Sequence, residues 1–290
     1  MILDTHTHFY DPSRPQGVPW PRPSEAWLYR TVLPPHYRSL AEPLGIVGTV
    51  VVEASSWVED NQWLLDLARQ DPFLLGVVGN LDPRAETFLG NLERFARHPR
   101  FRGIRCGGGV FATGADGLLV ERLGALARHG LTLDVLAGST AMAAVAEIAR
   151  HLPALRLVVN HLAVVPIDGG APPPEWVQAM QTVAAQPGVF MKVSAYQELS
   201  RVQPAPAGLP HYQQILDVVW DAFGPERLVY GSDWPVCERA GTLATGLDIL
   251  RQYLQQRDPA AAPAVLGGNA CRAYGIVAPA PSGGLSQATG

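Results

Sequence analysis

Eight short apolar runs recur along this chain, beginning near Ile2, Thr49, Leu74, Phe101, Leu131, Leu155, Val189 and Leu228. Each run after the first is preceded by a segment with helical apolar spacing: residues 35–44, 59–69, 85–97, 118–128, 140–151, 174–185 and 211–223, with 243–255 closing the series. Thr49-Val50-Val51-Val52 is typical of the runs: it is β-branched and lacks polar alternation, the pattern of a strand covered on both faces in a parallel sheet. Strand–helix alternation of this regularity predicts an α/β fold. Eight units in 290 residues predict one domain, a closed (β/α)8 (TIM) barrel over residues 1–276, instead of an open doubly wound sheet. No Gly-rich dinucleotide fingerprint follows any run, which counts against a Rossmann arrangement. Residues 277–290, rich in Ala, Pro, Ser and Gly, read as a disordered tail.

Composition narrows the function classes. Hydrophobic residues make up 47% and charged residues 17% of the chain, which suits a compact enzyme with a large core better than a disordered binder. The net charge is −4, with Lys+Arg 22 against Asp+Glu 26 and no basic run, so nucleic acid is not an expected partner. Neither a secretory signal nor an apolar run long enough for a bilayer is evident. Cys106, Cys237 and Cys271 are isolated, with no C-x-x-C pair, which fits a reducing compartment. The expectation is a cytoplasmic enzyme with a small-molecule substrate and no membrane partner; a homo-oligomer is left open.

In a barrel of this kind the chemistry sits at the C-terminal ends of the strands. The polar residues ending the apolar runs are His6 and His8, Glu53, Asn80 and Asp82, Arg105, Asp134, His161, Lys192 with Ser194, and Asp233. A polar group closing a buried strand costs desolvation unless it has a partner or a task. His6-x-His8 on a strand aims two imidazoles at one volume, which suits a divalent transition metal; a chance His pair is the competing reading. At His161 a ligand or substrate contact competes with a His bonded to a neighbouring strand, and at Asp233 catalysis competes with a turn-forming Asp. Arg105 is either a clamp for a substrate carboxylate or half of a structural ion pair. Lys192 either stabilises developing negative charge or pairs with Glu53 or Asp233. Trp20 lies in a Pro- and Trp-rich loop, 11–30, where it contacts substrate or seals the rim.

The ordered set Asp4-x-His6-x-His8-Phe9, Gly103-Ile104-Arg105, Asn160-His161-Leu162, Met191-Lys192-Val193-Ser194, Tyr230-Gly231-Ser232-Asp233-Trp234-Pro235 and Gly268-Asn269-Ala270-x-x-x-Tyr274-Gly275 spans nearly the whole chain. It resembles the amidohydrolase-2 branch of the amidohydrolase superfamily, and within it the lactonase-like group. The resemblance implies hydrolysis of a lactone of a small sugar acid or carboxylic acid, with water activated by Asp233. His161 and Lys192 are the further expected catalytic residues. His6, His8, His161 and Asp233 are the expected metal site, for one zinc ion or manganese; in some members of the group the histidines instead contact the substrate carbonyl and no metal is needed. Arg105, Glu53, Ser194, Trp20 and Tyr196 are the expected substrate-binding residues. Similar sequences often read D-H-L-x-K-P where this one reads Asn160-His161-Leu162-Ala163-Val164-Val165-Pro166, so a Lys is missing there. With no second bridging Lys or Glu and no His after the Asp134 run, a binuclear centre is not expected. The same residue set also serves metal-dependent, non-oxidative decarboxylation of a small unsaturated or aromatic acid, which is the alternative activity.

Overall fold

Eight parallel strands pair in chain order: β1 (Ile2–Thr7), β2 (Ile46–Val52), β3 (Leu74–Gly79), β4 (Phe101–Gly107), β5 (Thr132–Leu136), β6 (Arg156–Val159), β7 (Val189–Val193) and β8 (Leu228–Tyr230). The computed structural model describes residues 1–277; the expected disordered tail lies, from residue 278 onward, outside the described residues. The fold is a (β/α)8 barrel. Its helices are α1 (Pro34–Ala41), α2 (Asp60–Gln70), α3 (Phe88–Ala96), α4 (Gly117–Arg128), α5 (Met142–His151), α6 (Pro174–Ala184), α7 (Gln213–Phe223), α8 (Leu243–Arg257) and α9 (Asn269–Tyr274). None among the described residues is long and apolar enough to cross a membrane.

Among the boundaries that differ from expectation, two have clear local reasons. β2 begins at Ile46, not Thr49, because Ile46 already pairs with Ile2. α3 begins at Phe88, not residue 85, because Asp82 Oδ1 accepts the Arg84 amide at 2.8 Å, a side-chain turn that competes with helix start.

Helices α1 to α8 turn one apolar face toward the barrel. On α2, Leu64, Leu65 and Ala68 are buried; a fully buried Leu contributes about 2 kcal/mol. Close strand approach also explains Gly103: a Cβ there would stand 2.1 Å from Thr132 Oγ1 and 2.5 Å from the Thr132 carbonyl oxygen, so any side chain would push β4 from β5.

Closure of the barrel runs through the first strand's polar residues. Thr5 Oγ1 donates to the Tyr230 carbonyl at 2.6 Å. Asp4 Oδ1 accepts the amides of His6 and Ser232, each at 2.9 Å, and Asp4 Oδ2 accepts the Tyr37 hydroxyl at 2.6 Å. The Asp233 amide donates to the His6 carbonyl and the His8 amide to the Trp234 carbonyl, both at 2.9 Å. The bonds that join β1 to the exit of β8 therefore also set the spacing of His6, His8 and Asp233.

At the opposite end, α9 plugs the barrel. Ala270, Ala273 and Tyr274 pack with Leu3, Val158 and Val229 inside it. Asn269 Nδ2 donates to the Pro225 and Leu228 carbonyls at 2.7 Å. The Tyr274 hydroxyl reaches up the barrel axis to Asp134 Oδ2 at 3.0 Å, and Gly275 ends the helix at φ 61, a conformation that favours glycine.

Candidate active site

The C-terminal mouth opens into a cavity of about 440 Å³ whose floor is His8, His161 and Asp233 and whose walls include Trp20, Glu53 and Arg105. One carboxylate oxygen organises the floor. Asp233 Oδ1 lies 3.2 Å from His8 Nε2, 3.5 Å from His6 Nε2 and 3.9 Å from His161 Nε2. His6 is fully buried behind the other two. Burial opposes ionisation of Asp233, yet His161 and His8 beside it, with Arg105, hold its pKa below the ordinary carboxylate value. Burial pushes the imidazoles the other way. His161 falls to about 4 despite the Asp233 charge, and His6 falls well below the usual value through burial and the neighbouring Lys192. At neutral pH these two rings are uncharged and the carboxylate is ionised.

Backbone conformation aims two of these groups. Asp233 sits at φ 62, a left-handed geometry that Asp tolerates better than most residues. His161 begins a run in which His161, Leu162, Ala163 and Val164 have φ of 52, 52, 51 and 54. Four consecutive left-handed residues without glycine cost about 1–2 kcal/mol each. Buried Leu162 and Ala163 hold the turn in place, as does Trp176 Nε1, which donates to the Leu162 carbonyl at 2.8 Å. Such strain collects at functional sites.

Lys192, expected to act on substrate, is placed otherwise. Its side chain is completely buried and absent from the cavity wall. Its Nζ donates to Asp134 Oδ2 at 2.8 Å and to the Thr5 carbonyl at 2.9 Å, and lies 3.3 Å from His6 Nδ1. Desolvation lowers its pKa and Asp134 opposes that shift. The pairing expected with Glu53 or Asp233 is thus made with Asp134, which is fully buried like Lys192, whereas Glu53 and Asp233 line the cavity. Ser194 and Tyr196 also turn away from the cavity. Ser194 Oγ meets His161 Nδ1 at 2.9 Å, and the Tyr196 hydroxyl donates to the Gly246 carbonyl. Neither is among the residues of the cavity wall: Ser194 supports His161, and Tyr196 packs against α8.

Trp20, Glu53 and Arg105 do line the cavity. Trp20 stands edge-on to His8 with ring centroids 5.8 Å apart. Arg105 Nε donates to Glu53 Oε1 at 2.9 Å and Nη2 to the Glu53 carbonyl at 2.8 Å. Ser55, Ser56 and Asn80 complete the polar wall. The two serines were missed because nothing but their position just past β2 marks them; Asn80 was visible as a strand-end polar residue.

His6, His8 and Asp233 offer ligand atoms all within 4.8 Å of one another. His8 Nδ1 donates to the Val52 carbonyl at 2.9 Å, so a neutral His8 presents a bare Nε2 to Asp233 Oδ1. Two acceptors in contact need a proton or a cation between them. His6 Nε2 is buried without a hydrogen-bond partner. Imidazole and carboxylate donors converging in this way fit a divalent transition metal.

Comparison with known proteins follows the same lines. The chain matches the model of a family described as Amidohydrolase over residues 3–276. It is 33% identical to an L-fucono-1,5-lactonase of Burkholderia ambifaria, covering 96% of both chains. A solved amidohydrolase from Burkholderia multivorans with bound zinc superposes with a TM-score of 0.84 at 27% identity, covering 96% of this chain and all of that one. A probable 2-pyrone-4,6-dicarboxylic acid hydrolase from Acinetobacter baumannii shares the fold, with a TM-score of 0.76 at 17% identity over 94% of this chain and 99% of that one.

Proposed function

The chain belongs to the amidohydrolase family and is a hydrolase, and from that premise we propose that it opens the ring of a small lactone with water activated by Asp233. The observation that carries the reading is the single oxygen, Asp233 Oδ1, within 3.9 Å of three imidazole nitrogens on the cavity floor. Likeness to an L-fucono-1,5-lactonase over 96% of the chain supports a lactone of a sugar acid as the substrate class.

The ionised Asp233 accepts a proton from a water molecule as its oxygen adds to the lactone carbonyl. Charge then develops on the carbonyl oxygen and needs a donor in a dry site. With Ser194 Oγ donating to His161 Nδ1, the His161 proton sits on Nε2 and faces that oxyanion. Asp233 returns its proton to the ring oxygen as the ester bond breaks, giving a hydroxy acid that ionises. The Val52 carbonyl locks the His8 ring, so that its bare Nε2 faces Asp233 as a ligand atom for a metal. Lys192 acts indirectly, by holding the His6 ring from below. When a divalent metal such as zinc is bound, His6, His8 and Asp233 would hold it, with His161 next to them, and it would supply Lewis acidity at the carbonyl.

A panel of aldonolactones monitored by proton release tests the proposal. Acid release catalysed by the purified chain is the expected result. Carbon dioxide release from a small unsaturated acid, with every lactone untouched, would replace the proposal with a decarboxylase.

A further inference from the structure

We infer that the Glu53–Arg105 ion pair sets substrate choice: it bars lactones that carry a carboxylate and admits uncharged, polyhydroxylated ones. The inference rests on the lactone reading of the site. Among the described residues, Arg105 is the only Lys or Arg in the cavity wall, and two carboxylates, Glu53 and Asp233, share that wall. A guanidinium grips a carboxylate through two parallel N–H donors. Here the Nε and Nη2 donors are already taken by Glu53, whose Oε1 lies 2.9 Å from Nε and 2.8 Å from Nη2. The pair is mostly shielded from solvent, with side-chain exposures of 13% and 15%. A substrate carboxylate would have to break this pair while facing the Asp233 charge. Lys192 gives no help, because it is sealed below the floor against Asp134.

What the wall does offer matches hydroxyl groups. Ser55, Ser56 and Asn80 supply neutral donors and acceptors, and Trp20 adds an indole. Arg105 Nη1, outside the contacts with Glu53, is left with its own N–H donors for uncharged oxygens. Glu53 therefore acts as an internal stand-in for a substrate carboxylate.

The test compares kcat/KM for a matched pair: an aldonolactone, and the aldarolactone that carries a carboxylate in place of its primary alcohol. The parent chain is expected to prefer the neutral lactone by about tenfold or more, the worth of one charge-assisted contact. Glu53→Gln frees the Arg105 edge yet keeps the Glu53 carbonyl that seats Nη2, and is expected to move the ratio about tenfold or more toward the aldarolactone. Should that variant not fold, inhibition of the parent by malonate decides: neutral-lactone turnover should be unaffected at concentrations of about 10 mM. Equal use of both lactones by the parent, an unmoved ratio in folded Glu53→Gln, or malonate inhibition at or below about 10 mM would overturn the inference. Turnover of neither lactone would instead remove the lactone reading beneath it.

Discussion

Lys192 Nζ and Asp134 Oδ2 lie 2.8 Å apart with both side chains fully buried in the barrel. The pair stands between the plug and the mouth: Tyr274 of α9 bonds Asp134 from below, and His6 meets Lys192 from above. Removing one partner leaves an uncompensated buried charge, which costs about 3–5 kcal/mol, whereas replacing both with apolar residues is often neutral. Lys192→Met should therefore unfold at markedly lower denaturant, and Lys192→Met with Asp134→Leu should recover much of that loss. Equilibrium unfolding of the three chains checks this; equal stability of the single and double variants would contradict it.

The pH dependence of activity follows from the site's charges. The proposed reaction needs Asp233 ionised and His161 neutral. His161 titrates at about 4, and Asp233 is held below its ordinary value. Lowering the pH thus removes activity only where these groups take up protons. kcat/KM should be level from neutrality down to about pH 5 and fall near pH 4. A fall centred on the ordinary His value, about 6.5, would show that the imidazoles are not desolvated as described.

Val164 is the exposed end of the left-handed turn, a β-branched residue at φ 54. Asn adopts that conformation at less cost. Val164→Asn should stabilise the chain by about 1 kcal/mol, raising Tm by about 2–3 °C. A lowered Tm in calorimetry would count against the turn.

Zinc binding has a readout independent of turnover. A ligand present at 100 times its Kd stabilises the folded state by about 2.7 kcal/mol. Added Zn²⁺ should raise the Tm of the parent chain, and chelation should reverse the rise. His8→Ala should lose most of it, since His8 presents a bare nitrogen beside Asp233. An equal rise in both chains would place the ion elsewhere.

The barrel was legible because parallel strands covered on both faces are written as β-branched runs, and all eight runs became strands. The meeting of His6, His8, His161 and Asp233 was legible through strand ends alone, since a closed barrel collects those ends in one mouth. Side-chain direction was not. Ser194 and Tyr196 follow β7 in sequence, yet one turns to His161 and the other to Gly246. Partner choice was equally hidden: Arg105 and Glu53 were both marked as charged strand ends, but their 2.9 Å contact depends on barrel curvature. The left-handed turn after His161 carries no glycine signal at all, because buried Leu162 and the Trp176 bond, not local propensity, hold it.

The most direct test of the central claim is the kcat of Asp233→Asn on a neutral aldonolactone that the parent chain opens, measured on protein shown by circular dichroism to be folded. A positioned general base contributes about 10²–10⁴-fold, so kcat should fall by that factor or more. A folded Asp233→Asn within about threefold of the parent would contradict a reaction run through that carboxylate.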